Sequence, residues 1–389
     1  MPQVQVLTDI AAIEKLIPEW EQLSARLRPW TPFTTPAWLM TWWTRFRRDT
    51  TFSRDELRFY TVRDDAGALI GICPMMLTSR PGQGPFRLRE LQFLGADPYV
   101  TELRGPICSQ ENAVLVTEAF LAHFQASPTA DWIQCQGFPE TESFKDRFGF
   151  IPDVRLDSVD YYLTLPDTWE DLKKSLPRNI KESIRKCYNS LARDDHSFEL
   201  RIVQKPDEIE RALDTFFDLH ARRADLSGTV QHRDIFAEPS SQEFLRDYCA
   251  LYAGQGGVAI FQLVIDKKVV ATRIGFLGGE DVYLYFSGYD PEWRQHSVMT
   301  TTLVEIIKWA ISSRIRICNL SSGTDVSKTR WRPQHVNSYG GYVAINSLAG
   351  QLILPAARTL RNRRINFSLA GLRQKQGAAQ LKNFIERPS

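Results

Sequence analysis

The sequence has no run of about 18 apolar residues, so it offers no segment suited to cross a membrane as a helix. Its opening stretch, MPQVQVLTDIAAIEKLIPEW, has neither a basic start nor an unbroken apolar core, which reads against a secretory leader. The six cysteines, Cys73, Cys108, Cys135, Cys187, Cys249 and Cys318, are scattered and form no C-x-x-C pair. Such spacing argues against a zinc site and for buried thiols in a reducing cytoplasm; no metal is expected. There is no G-x-S-x-G elbow, P-loop, H-E-x-x-H helix or complete dinucleotide fingerprint. Serine-hydrolase, P-loop nucleotide, zinc-peptidase and simple dehydrogenase chemistry are thereby set aside.

What is present is an ordinary globular composition of 389 residues, 43% hydrophobic and 24% charged. On the usual range of roughly 100–200 residues per domain, that length suits two domains. Net charge is only +2, but it is unevenly placed. Residues 355–389 carry eight cations (Arg358, Arg361, Arg363, Arg364, Arg373, Lys375, Lys382, Arg387) against Glu386. With Leu352, Ile353, Leu354, Ile365, Phe367, Leu369 and Leu372 interleaved, this tail suits an amphipathic helix beside an anionic membrane surface, or one packed back on the domain. A second basic block, KKSLPRNIKESIRKCYNSLAR at 173–193, has seven cations against Glu182. Its apolar residues recur at helical spacing, with Arg178, Lys181, Arg185 and Lys186 on the other face. It reads as a solvated helix face or a phosphate-binding one.

The order of elements repeats. In the first half a helical pattern spans 9–27, with Pro18 inside it. The Trp- and Pro-rich PWTPFTTPAWLMTWWTRF follows, then strand-like runs at 57–63, 69–78 and 89–94, a helix at 110–125 and a strand at 131–136. In the second half helices at 206–223 and 241–253 precede strands at 258–265, 269–277 and 281–289, a helix at 298–313 and a strand at 314–320. The apolar, extended segment 150–165 between the halves reads as a strand crossing into the second domain. The pattern is α/β (α+β): two tandem domains, 1–160 and 161–350, each a mixed central sheet flanked by helices, then the tail 351–389.

The most telling stretch is 281–331, DVYLYFSGYDPEWRQHSVMTTTLVEIIKWAISSRIRICNLSSGTDVSKTRW. It reads as strand, polar loop, helix, strand, then a polar segment with Gly323, Asp325, Lys328 and Trp331. A loop that opens a helix straight after a strand can hold a phosphate, because the first helical N–H groups lack partners and the dipole is positive there. Gly288-Tyr289-Asp290-Pro291, the loop Glu292–Ser297, and Gly323, Asp325, Lys328 and Trp331 together resemble the CelD-like branch of the GNAT acyltransferase superfamily. Chains of that branch pair two GNAT-type domains and are similar to FemABX aminoacyl transferases. The resemblance covers roughly residues 20–350.

The resemblance implies a donor loop of the form Gln/Arg-x-x-Gly-x-Gly/Ala, here Arg294, Gln295, His296, Ser297, Val298 and Met299. Larger residues stand at both glycine positions, which removes the easy close approach of backbone to a diphosphate. Arg294 and His296 are then the side chains to compensate. The alternative is a plain helix N-terminus capped by Ser297. The strand 283–289, YLYFSGY, would supply a backbone donor. Tyr285 and Tyr289 alternate onto one face, either lining the acyl channel as proton donors or simply filling the core. Asp325 and Lys328 belong by resemblance at the acyl or acceptor site; the bland alternative is a surface ion pair. The family often has Tyr just before that Lys, where Ser327 stands here.

His220 titrates near working pH and suits a general base. Arg222 and Arg223 beside it are substrate candidates, or serve only the helix dipole. A basic helix of the kind seen at 177–193 opens the second domain in the resembling groups, which adds Arg178 as a substrate-binding candidate. The Trp cluster at 38–43 packs the first core, with Phe33 as the cleft residue.

The reading that follows is an enzyme: a GNAT-type N-acyltransferase. Acyl-CoA, or an acyl carrier protein thioester, is the donor and co-substrate. An amine is the acceptor, of a sphingoid (ceramide-forming) lipid or of a sugar. The first domain is a degenerate copy that shapes the acceptor site. The location is cytoplasmic, at most peripheral to the inner membrane, and nucleic acid is not an expected partner. Two alternatives stand beside it: a FemABX-like transferase fed by aminoacyl-tRNA, and a non-catalytic component of a polysaccharide or lipid pathway.

Overall fold

The computed structural model describes residues 2–82, 87–96, 99–139, 155–226 and 233–344. The basic tail at 351–389, with its expected membrane-surface helix, lies outside the described residues. In the first half, β1 (Gln3–Leu7) leads into α1 (Ile10–Arg26) and α2 (Pro36–Phe46). Then come β2 (Arg54–Arg63), β3 (Leu69–Arg80), β4 (Leu88–Phe93), the short β5 (Ile107–Cys108), α3 (Ala113–Ala126) and β6 (Trp132–Phe138). β7 (Arg155–Thr164) ends the first half and crosses into the second half. The second half continues through α4 (Trp169–Ser175), α5 (Arg178–Arg193), β8 (Phe198–Val203), α6 (Pro206–Ala224) and α7 (Pro239–Ala253). β9 (Val258–Ile265), β10 (Lys268–Gly278), β11 (Asp281–Tyr289), α8 (Val298–Ser312), β12 (Ile317–Ser322), α9 (Val326–Thr329) and β13 (Gln334–Ala344) complete it.

Local chemistry sets the boundaries. Asp9 caps α1 by accepting from Ala12 N at 2.9 Å, and Pro18 sits within the helix without ending it. Thr35 caps α2, with Pro36 in the first turn, where its missing N–H costs nothing. Helix α6 begins Pro206-Asp207-Glu208 and ends with Arg222 and Arg223, charges of the right sign at both ends of the dipole. Helix α5 buries Ile180, Ile184, Cys187 and Leu191 and exposes Arg178, Lys181, Arg185 and Lys186.

The halves repeat one motif. A three-strand meander (β2–β3–β4; β9–β10–β11) is followed by a crossover helix and a strand parallel to the last one (β6; β12). They are not separate sheets. Among the described residues the strands form one 13-stranded sheet, ordered β1-β2-β3-β4-β6-β13-β7-β12-β11-β10-β9-β8, with β5 beside β3. The last strand of each half has crossed over: β13 lies against β6 of the first half, and β7 lies against β12 of the second. β7 and β13 pair antiparallel at the centre. Strands β1, β5, β8 and β13 have no counterpart among the sequence expectations, although β1 (QVQVL) and β8 (FELRIV) alternate apolar and polar residues.

The core crosses between the halves. Trp38 of α2, fully buried, meets Phe244 and Tyr248 of α7, Phe276 of β10 and Tyr285 of β11 edge to face, at 4.7–5.8 Å between ring centroids. Trp38 and Trp42 are thus core, as their spacing suggests. All six cysteines are free thiols, five of them buried. Among the described residues no helix is long and apolar enough to cross a membrane.

Candidate functional site

Strand β11 is the pivot. It pairs with β10 as Ala271↔Tyr289, Thr272↔Gly288 and Arg273↔Ser287, then resumes at Gly275↔Leu284. Ile274 therefore faces two residues, Tyr285 and Phe286, which is a β-bulge. A one-residue insertion flips every later side chain to the other face. Tyr285 faces the aromatic core shared with the first half, where its hydroxyl donates to Val100 O. Tyr289 packs on the opposite cluster beside Val298, with Arg223 over its ring at 6.0 Å. The expectation that Tyr285 and Tyr289 share one face therefore fails, for a reason that strict alternation cannot show.

β11 and β12 run parallel for only three pairs, Asp281↔Ile317 to Tyr283↔Asn319, and then part. Arg273 of β10 fills the fork. Its Nη2 donates to Leu284 O (3.1 Å) and to Leu320 O (3.4 Å), tying the two diverging strands together. Burial lowers the pKa of this guanidinium from its usual value.

Two carboxyls from outside the second-half meander enter the same fork. The loop carrying Glu102 crosses the end of β6 backbone to backbone at Gly137. Gly137 has φ +65°, and a Cβ there would lie 2.2 Å from Arg104 O. This crossing brings Glu102 to Tyr283, whose hydroxyl donates to Glu102 Oε2 at 2.7 Å. Asp160 of β7 accepts from Asn319 Nδ2 at 2.6 Å through Oδ2, while its Oδ1 has no hydrogen-bond partner among the described residues. Burial raises both carboxyls, Asp160 to about 7; Lys328 pulls Glu102 part of the way back.

Lys328 closes the cluster. Its Nζ donates to Ser321 Oγ at 2.9 Å and to Ser322 O, and lies 3.7 Å from Asp325 Oδ2. Burial lowers its pKa and the Glu102 charge opposes that shift. Burial also works against the Asp325 carboxylate, but hydrogen bonds from Ser327 and the Lys328 charge hold it below its usual value. The Asp325–Lys328 pair exists, but Lys328 is mostly buried and faces the fork.

The remaining predicted residues sort by position. His220 is buried among Phe216, Phe236 and Phe286. Its Nδ1 lies 3.0 Å from Ser287 O, which can only accept, so Nδ1 carries the proton and Nε2 the lone pair. Burial lowers its pKa, against the pull of Asp234, whose Oδ1 lies 3.7 Å from Nε2. Arg223 reaches the same Ser287, through Oγ at 2.7 Å. Phe33 is buried against Trp38, Tyr283 and Tyr285.

Arg222 instead pairs with the buried Asp290 at 2.7 Å, which Lys268 also holds at 2.8 Å. Arg178 is almost wholly exposed on α5 and paired with Glu182. His296 is buried, with Nδ1 2.8 Å from Ser190 Oγ of α5 and Nε2 3.2 Å from Gln295 Nε2 of the loop itself. Among the loop residues, Arg294, Gln295 and Ser297 are exposed, Met299 is half-buried and Val298 is buried. Ser297 makes no side-chain cap to α8. It adopts the left-handed conformation (φ +53°) that a glycine would take, so the turn into α8 forms without one.

Four residues of the cluster were missed: Glu102, Asp160, Tyr283 and Arg273. Arg273 alone carried a signal, as a lone charge within the apolar run VVATRIGF. Glu102 and Asp160 reach the fork only through the loop crossing and the strand exchange.

Residues 178–329 match the acetyltransferase (GNAT) domain. Among solved structures, FemX shares the fold at TM-score 0.57 and 11% identity, over 87% of this chain and 96% of FemX. Weaker likenesses are to a Bacteroides thetaiotaomicron protein of unknown function (TM-score 0.47, 12% identity, 88% and 100% covered) and to a tandem GNAT protein from the clavulanic acid pathway (TM-score 0.42, 11% identity, 88% and 98% covered). No curated protein matches. The chain thus shares its overall fold with FemX, and its second half carries the match to the GNAT domain.

Proposed function

We propose that this protein is an acyltransferase that moves an acyl group from a thioester, acyl-CoA or an acyl carrier protein, to an amine. The observation that carries the reading is that Lys328, on Ser321 and Ser322, and Glu102 of the other half, on Tyr283, both stand at the fork between β11 and β12 and act on each other's charge. Such transfer needs a site for the thioester carbonyl, positive charge for its developing oxyanion, a base for the amine proton and an acid for the departing thiolate. The bulge in β11 frees a backbone group from the ladder at the mouth of the fork. The start of α8, with Ser297 in the left-handed turn, faces a donor's phosphates with unpaired N–H groups. The amine nitrogen attacks the carbonyl carbon, a C–N bond forms and the C–S bond breaks. A buried carboxyl, Asp160 or Glu102, takes the amine proton, and Lys328 protonates the thiolate. His220 acts at one remove, holding Ser287 and with it the strand beyond the bulge.

The test is thermal stabilisation by CoA, acetyl-CoA, palmitoyl-CoA and an acyl carrier protein thioester. A ligand at a hundredfold excess over its Kd adds about 2.7 kcal/mol. A concentration-dependent shift with one of them supports the reading and its chain-length preference separates lipid from sugar chemistry; no shift with any overturns it. The exposed basic face of α5 favours a second reading, in which the donor is aminoacyl-tRNA. In that case binding falls steeply with salt as phosphate contacts are lost.

A further inference from the structure

We propose that Arg273 is a positioning residue of the site: it holds the carbonyl oxygens of Leu284 and Leu320 so that the fork receives an oxygen gaining negative charge, and it sets a second cation beside the proton donor Lys328. This rests on the acyltransferase reading and adds a residue to its machinery. β11 and β12 are paired only as far as Tyr283↔Asn319. Beyond that point carbonyls on both strands lose their ladder partners and must find others. Left bare, they would repel a developing oxyanion at the fork and attract an ammonium or hydroxyl in its place. Arg273 Nη2 takes one from each strand, Leu284 O at 3.1 Å and Leu320 O at 3.4 Å, and brings a positive charge with it. Lys328 Nζ donates to Ser322 O, two residues along the same strand from Leu320. At most roughly 7 Å of strand separates those two positions.

The internal repeat argues that the fold does not require this cation. β4 and β6 pair as far as Gln92↔Gln134 and then part, as β11 and β12 do. Phe93, the first residue past that ladder, faces Met75 of β3, just as Leu284 faces Gly275 of β10. Two residues before Met75 stands Cys73; two before Gly275 stands Arg273. Cys73 is fully buried in an apolar cluster with Phe93. The parting there opens into a cavity of about 460 Å³ whose wall includes Phe93, Leu94 and Gly137. At the same place in the second half, burial works against the charge of Arg273, and its Nε has no hydrogen-bond partner among the described residues. A charge kept against burial at one of two equivalent positions belongs to the half that carries the chemistry.

Four charged groups act on Lys328: Glu102 of the first half, Asp160 of β7, Asp325 of its own segment and Arg273 of β10. The three carboxyls favour its protonated form, and Arg273 opposes it. As the C–S bond breaks, the sulfur keeps the electron pair and takes a proton from Lys328 Nζ, so that two neighbouring cations become one. The amine proton goes to the buried carboxyl, and no further co-reactant is needed.

The experiment is acetic anhydride labelling of the full-length protein over a series of pH values. It is read at Lys328 by peptide mass spectrometry, with the exposed Lys267 as internal reference. Wild type, Arg273→Met, Arg273→Gln and Arg273→Lys are compared. Only the unprotonated amine reacts. At about pH 8, Lys328 is expected to react about tenfold more slowly in the Met and Gln variants, and at the wild-type rate in Arg273→Lys, which restores the charge. An unchanged rate at Lys328 in the neutral variants overturns the proposal. Failure of both to fold, by circular dichroism, overturns it too, because the fold itself would then need the cation. In thiol release from acetyl-CoA or palmitoyl-CoA, Arg273→Met is expected to lose about 10² in kcat with KM little changed. A wild-type kcat there removes the carbonyl-holding role. Thermal stabilisation by the same thioesters is measured alongside. A labelling shift without any stabilisation sinks the acyltransferase reading and leaves Arg273 acting on Lys328; stabilisation without a labelling shift does the reverse.

Discussion

At the residue scale, the cluster of Lys328, Glu102 and Asp160 holds mutually dependent charges in a place that water reaches poorly. Replacing Lys328 with Ala removes both the oxyanion's positive charge and the thiolate's acid. A loss of about 10²–10³ in kcat is expected, the size seen when one preorganised donor is deleted. Lys328→Arg is expected to keep part of the activity and to lose the proton-donor limb of the pH profile; a wild-type rate in Lys328→Ala would remove this residue from the chemistry.

Asp160 also makes a stability prediction. Burial raises its folded value to about 7, so the folded state binds this proton more tightly than the unfolded chain does. Its contribution is fully present below the ordinary carboxylate value, and it is lost as pH rises through about 7. Between those limits the slope is at most about 1.4 kcal/mol per pH unit. Glu102, Lys328 and Tyr283 face the same group and shape the curve. Urea unfolding of wild type and Asp160→Asn from pH 4.5 to 7.5 (a range of roughly three units) is expected to show a shallower decline in the variant; parallel curves would contradict the assignment.

At the element scale, the bulge in β11 and the left-handed residue before α8 are the two devices that shape the donor side. Ser297 pays for φ +53° as a non-glycine residue. Ser297→Gly is expected to raise stability by about 1 kcal/mol, and to tighten any thioester that needs close backbone approach. Weaker binding together with lower stability would mean that the Ser297 side chain itself is needed.

Gly288 lies where α6 touches β11, and a Cβ there would sit 2.4 Å from His220 N. Gly288→Ala must push α6 off the strand, taking His220 and Arg223 from Ser287. A loss of about 1–3 kcal/mol is expected, as for other overpacked sites, with a matching fall in activity.

At the scale of the whole molecule, the exchanged strands make the two halves one folding unit. β13 sits in the middle of the sheet, between β6 and β7. A chain ending at residue 333 lacks it and leaves two interior strands unpaired over a shared core. Such a chain is expected to show no cooperative unfolding transition by circular dichroism, while the chain ending at 350 shows one. A cooperative transition in the shorter chain would mean that the halves stand alone. The tandem arrangement was legible from the repeated order of elements, but its joining was not. Periodicity reports which residues are buried, not which strand lies beside which.

The sequence by itself determined the local events. It placed the helices through Pro36 and Pro206, the acidic and basic ends of α6 and the apolar stripe of α5. It placed the meanders through their turns, while Asp325 and Lys328 were singled out by the family resemblance of their motif. The helix and turn signals depend on neighbours within a few residues, so their physics is written in the chain. Only the tertiary structure decided that Tyr285 and Tyr289 part company, because a bulge is a mismatch between two strands and not a property of one. Only it brought Glu102 and Asp160 to Lys328, because a loop crossing at Gly137 and a strand exchanged between halves join residues far apart in sequence. The same exchange leaves the first fork open and the second one filled.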